Sequence, residues 1–121
     1  MAFEGLNGVA LRGYGATPDP AKGVDLCRRA AVRGYAKAET GLGCFYWDGE
    51  LLPEDRVAAV AWWQRAARQK DAEARMWLGH ALILGVGIAR DASAGLVLVR
   101  ETAEAGEAEA QAYLGAMLLD G

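Results

Sequence analysis

A 36-residue period runs through the chain and constrains its fold more than any other feature. Asp19, Asp55 and Asp91 are 36 residues apart, and the same step joins Ala2, Ala38, Ala74 and Ala110, as well as Leu6, Leu42, Leu78 and Leu114. Gly13, Gly49, Gly85 and Gly121 follow it, as do Ala31, Ala67 and Ala103; Gly43, Gly79 and Gly115 do too, with Asn7 in the first copy. A fixed period of this length marks stacked supersecondary units, none of which can bury its apolar face alone. The copies fall at 2–37, 38–73 and 74–109, with a partial one at 110–121, and the whole of 1–121 reads as one repeat domain.

Each copy reads as two helices. Ala38, Leu42, Phe45 and Tyr46 have helical spacing, and Leu78 with Leu82, or Leu114 with Met117 and Leu118, continue the stripe. Gly49 and Gly85 close first helices where a left-handed residue is needed, and Gly34 and Gly106 close second helices. Lys70 stands in that last place in the second copy, so its turn should be strained. Asp19, Asp55 and Asp91 suit N-caps of second helices, with Pro20 at a first helical position. The 25 alanines among 121 residues, with 16 Gly and only 3 Pro, favour closely packed helices over strands. The expectation is an all-α chain: a right-handed α-solenoid of about seven helices.

Composition removes several functions. A formal charge of −3 gives no general attraction to phosphate backbones, so nucleic acid is a poor partner. No window approaches the roughly 18 apolar residues of a membrane span, and the opening Met-Ala-Phe-Glu-Gly is unlike a signal peptide. The expected location is the cytoplasm, or the periplasm or exterior had a leader been removed. Cys27 and Cys44 are too few for a disulfide framework. His80 and Cys44 share one repeat position, but zinc needs further ligands and a nucleophile needs an orienting group, so no metal, cofactor or catalytic residue is assigned.

The string Ala-Glu-Thr-Gly-Leu-Gly-Cys-Phe-Tyr-Trp-Asp-Gly at 38–49, followed by Asp55, Ala59, Trp62 and Ala66-Ala67, resembles the SEL-one-like repeat, a 36-residue relative of the tetratricopeptide repeat. The third copy matches at Ala74, Leu78-Gly79, Gly85-Val86-Gly87-Ile88, Asp91, Ala103 and Gly106. Departures are Asn7 and Ala10, Leu51 and Lys70, and Leu98 at an aromatic position. The resemblance implies a non-enzymatic adaptor or scaffold that binds a protein or peptide, with first helices lining a concave face. It also implies that Trp62 packs in the core, leaving Trp63 partly exposed.

Opposite the core stripe, the first helices carry Thr40, Cys44 and Trp47 in the second copy and Met76, His80 and Ile83 in the third. Leu11 and Leu119 extend the column of Trp47 and Ile83. These eight residues form the expected partner-binding strip, anchored by Trp47, unless curvature buries them between helices. Arg29, Arg33, Arg65 and Arg68, with Glu101 and Glu104, read as a solvated outer face. The last helix has no second helix after it within the sequence, so Tyr113, Leu114, Met117 and Leu118 offer a face for homo-oligomerisation.

Overall fold

The computed structural model describes residues 19–120, and every element in them is a helix of 13 residues. In chain order these are α1 (Pro20–Val32), α2 (Ala36–Asp48), α3 (Arg56–Arg68), α4 (Ala72–Leu84), α5 (Ala92–Glu104) and α6 (Ala108–Asp120). The first residues of α2, α4 and α6 are 36 apart, as are those of α1, α3 and α5, so the period sets the architecture directly. Each helix packs on its neighbours in sequence, most extensively α2 on α3 and α4 on α5. The result is a helical solenoid. The expected opening helix, and Leu11 with it, lies outside the described residues.

The helix boundaries follow from local chemistry. Asp19, Asp55 and Asp91 cap α1, α3 and α5, accepting from the backbone N–H of Lys22, Ala58 and Ala94 at 3.3, 3.0 and 3.1 Å. Gly49 and Gly85 end α2 and α4 with φ of 71° and 73°. Gly34 and Gly106 follow α1 and α5 with φ of 93° and 100°, and Lys70 holds φ 68° at the same point after α3. A side chain pays for the left-handed region where glycine does not. Lys70→Gly is therefore expected to raise stability by about 0.5–1 kcal/mol, read as a higher urea midpoint at unchanged slope.

Trp63 is 1% exposed, packs with Ala59, Val60, Ala66, Ala74 and Ala81, and donates its indole N–H to Thr40 O at 3.1 Å. This corrects the expectation for the two adjacent tryptophans. Trp62 is half-buried, with the Arg65 guanidinium 5.0 Å from its ring centre, and Trp63 is the core residue. A second cluster joins Met76, Ala103 and Ala110, with Trp77 and Leu114 against it.

Ion pairs join the two helices within successive repeats. Glu39, 1% exposed on α2, meets Arg65 of α3 at 3.3 Å and accepts from Gln69 at 2.7 Å. One period later Arg75 of α4 meets Glu101 of α5 at 3.0 Å, so the same cross-helix pair recurs with its signs exchanged. Pairing α2 with α5, or α4 with α3, in that register would oppose like charges. Arg65 and Glu101 thus hold helix pairs together rather than only solvating an outer face.

Candidate functional site

The first-helix positions of the expected strip divide into three by depth. Thr40 is 2% and Met76 is 5% exposed, so neither can contact a partner; both are corrections to the expected site. The two are equivalent positions, 36 residues apart, and each is covered where its helix meets the elements that follow it in the chain. Thr40 donates to Asp71 Oδ2 at 2.7 Å, with Ala36 O a longer acceptor at 3.1 Å, while Met76 packs on Ala103 and Ala110. Cys44, Trp47, His80 and Ile83 are half-buried, and Leu119 is 88% exposed at the end of α6. Helical periodicity finds the face but not which part of it another repeat will cover.

Asp71 caps α4 through the Ala74 N–H at 3.1 Å and meets Lys37 at 3.2 Å. Burial acts to raise its pKa, but the bonds from Thr40, Ala74 and Lys37 outweigh burial and hold the carboxyl below its ordinary value. The cluster ties α2 to the start of α4 and has no counterpart at the equivalent Met76 and Glu107, so it belongs to one repeat junction.

The half-buried residues form an aromatic chain across three repeats. Trp47 lies 5.1 Å from Trp63, Trp63 stacks at 6.0 Å on Trp77, and His80 sits 6.2 Å from both Trp47 and Trp77. His80 then meets the Tyr113 ring edge-on at 5.2 Å, so side chains of α2, α4 and α6 touch in series. The Tyr113 hydroxyl lies 2.6 Å from His80 Nδ1, which accepts when the neutral ring carries its proton on Nε2.

Burial lowers the His80 pKa from 6.5. The folded chain keeps the ring neutral where the unfolded chain protonates it, so this contribution to stability is present above about pH 6.5 and is lost as pH falls through the folded value. The thermal midpoint should drop on acidification from about pH 7.5 to about 5.5, and His80→Gln should flatten that dependence. An unchanged slope in the variant would remove His80 as its source. Asp71 acts in a separate window, because its lowered pKa makes its contribution fade only below about pH 4.

Between α2, α3 and α4 the aromatic chain opens into a cleft of about 310 Å³ lined by Cys44, Trp47, Asp48, Trp63 and Trp77. Two of the five, Cys44 and Trp47, were expected at a binding face; Trp63, Trp77 and Asp48 were not. Trp77 had a usable signal, since Tyr113 stands one period after it. Burial pushes the Cys44 thiol up to about 11, and the carboxylates of Glu73 and Asp48 add to the rise. A thiol so held is a poor nucleophile at neutral pH. Among the described residues no group of His, Cys, Asp and Glu is arranged to hold a metal, and no helix is long and apolar enough to cross a membrane.

The family model for the Sel1 repeat matches residues 4–35, 36–71, 72–107 and 108–121. A Sel1 repeat protein from Oxalobacter formigenes superimposes with a TM-score of 0.75 at 31% identity, covering 87% of this chain and 31% of that one. A protective antigen of uropathogenic Escherichia coli with an SLR fold gives 0.73 at 29% identity over 80% of this chain and 21% of its own. Chitin synthase regulatory factor 3 of Schizosaccharomyces pombe is 32% identical over 81 residues, which are 65% of this chain and 9% of that protein. The chain thus spans about a third of the length of the first solved relative and a far smaller part of the curated one. With four matched segments spanning nearly every residue and the helix pairs repeating in step with them, the chain belongs to the Sel1 repeat family.

Proposed function

We propose that the chain is a non-enzymatic adaptor that holds a partner protein on the face formed by α2, α4 and α6, with the tryptophan-lined cleft as the anchor point. Sel1 repeat proteins generally mediate protein–protein interaction, which supports the class of function. The cleft carries the reading: Trp47 and Trp77 are half-buried rather than covered, and indoles in a partly open pocket are the residues that dominate binding energy at interfaces. Ile83 extends the same face from α4.

The test is affinity capture from the source cell's lysate with the native chain and with a Trp47→Ser/Ile83→Ser double variant of matching helicity. A partner held by the native chain and reduced at least about tenfold with the variant supports the reading. Equal capture by both overturns it.

One observation favours a second reading, self-association through α6. A Cβ added at Gly43 or Gly79 would strike the next helix, whereas at Gly115, the same repeat position, it would meet nothing within 4 Å. Among the described residues nothing covers on α6 the surface that α3 and α5 cover on α2 and α4, and Leu118, one helical turn on from Gly115, is 73% exposed. A mass by sedimentation that stays monomeric across a wide concentration range would exclude this second reading.

A further inference from the structure

We propose that the cleft between α2, α3 and α4 receives a cationic side chain, lysine or arginine, of the partner protein. This rests on the adaptor reading above and adds the chemistry of the anchor. Trp63 lies 5.1 Å from Trp47 and 6.0 Å from Trp77, so three indoles meet at the cleft, with the half-buried Trp47 and Trp77 offering ring surface, and tryptophan is the strongest aromatic partner for a cation. Asp48 lines the same cleft, is exposed, and makes no ion pair among the described residues. Indole walls with a carboxylate at the edge are the arrangement that recognises ammonium and guanidinium groups.

The local field has the matching sign. The charges of both Asp48 and Glu73 reach the Cys44 thiol in the cleft wall. The nearby cation, Arg56, is matched by Glu54 at 3.0 Å and lies 4.6 Å from the Trp47 ring centre, so Trp47 already holds one cation of the chain, and Trp77 and Asp48 are what an incoming cation would meet. A leucine-like anchor would fit the indoles but give Asp48 no partner, and an anion would be repelled. The volume, about 310 Å³, is at the small end for a ligand pocket and suits one side chain rather than a cofactor.

The experiment follows the indole N–H resonances of the full chain by NMR during titration with three short blocked peptides, glycine-flanked and differing only in a central arginine, lysine or norleucine, and with tetramethylammonium chloride. The arginine and lysine peptides should shift the Trp47, Trp63 and Trp77 resonances with at least about fivefold tighter binding than the norleucine peptide. Asp48→Asn, a change at an exposed position, should shrink that preference to about twofold or less, and added salt should weaken the cationic peptides selectively. Equal or tighter binding of norleucine, or a preference untouched by Asp48→Asn, overturns the proposal. Tetramethylammonium saturating the same resonances more tightly than either cationic peptide also overturns it, in favour of a free small ammonium ligand. A partner protein captured through Trp47 while no cationic peptide binds would sink this inference and leave the adaptor reading standing. Loss of Trp47 dependence in the capture would sink the adaptor reading itself.

Discussion

Gly95→Ala should destabilise the chain by at least about 2 kcal/mol, although alanine is the better helix former by about 1 kcal/mol. Its Cβ would lie 2.5 Å from the Gly79 carbonyl oxygen and 2.8 Å from Ile83, and the reciprocal change at Gly79 would meet the Gly95 carbonyl at 2.8 Å. The obstacle on each side is backbone, so no rotamer change can relieve it, and α4 and α5 must move apart. That would also stretch the Arg75–Glu101 pair and loosen Val99 from its fully buried site. Gly115→Ala supplies the internal control: the repeat position is that of Gly79, but nothing lies within 4 Å, so only the propensity gain remains and stability should rise by up to about 1 kcal/mol. Gly79→Ala and Gly115→Ala would then appear as urea midpoints moving in opposite directions for one substitution at one repeat position. A neutral Gly95→Ala would show that α5 can shift on α4 without loss.

That contrast also shows what a sequence can carry. The period, the caps and the small-residue positions are local or translational properties, so Asp55, Asp91, Gly49, Gly85 and even the strained Lys70 were readable before any coordinates. Burial depends on what the neighbouring repeat places opposite a residue, and the repeats here are not identical. Thr40 and Met76 occupy one position on one helix face, yet Thr40 is consumed by Asp71 and Met76 by Ala103 and Ala110, because different side chains pack against that position in the two copies. The exchanged Glu39–Arg65 and Arg75–Glu101 pairs were equally hidden, since a charge on a second helix reads as solvated until its partner is known. The cleft was half legible: helical spacing selected Cys44 and Trp47, while Trp63 and Trp77 reach it from two other helices, and only the packing angle decides that.

Trp63→Ala should cost about 3–5 kcal/mol, the range for emptying a fully buried aromatic site, and Trp62→Ala about 1 kcal/mol. The residues are adjacent and identical, so composition and helix propensity cancel in the comparison. Among the described residues Trp63 is the largest fully buried side chain, closes the core around Ala59, Val60 and Ala66, and gives its N–H to Thr40 O. Trp62 mainly shields one face beneath Arg65, an arrangement worth about 0.5–1 kcal/mol at a solvent-accessible site. Trp63→Phe separates the two parts of the larger loss: much of the ring area survives, but Thr40 O loses its indole donor, for an expected cost of about 1–3 kcal/mol. Because Gly43 leaves only 2.5 Å between a would-be Cβ and Trp63 Nε1, the glycine and the indole form one fitted pair. Shrinking Trp63 in a Gly43→Ala background should therefore cost less than the sum of the two single changes, a coupling that a double-mutant cycle in urea would read directly. Equal losses for Trp62→Ala and Trp63→Ala would mean that α3 is free to rotate on its axis, and the cleft wall with it.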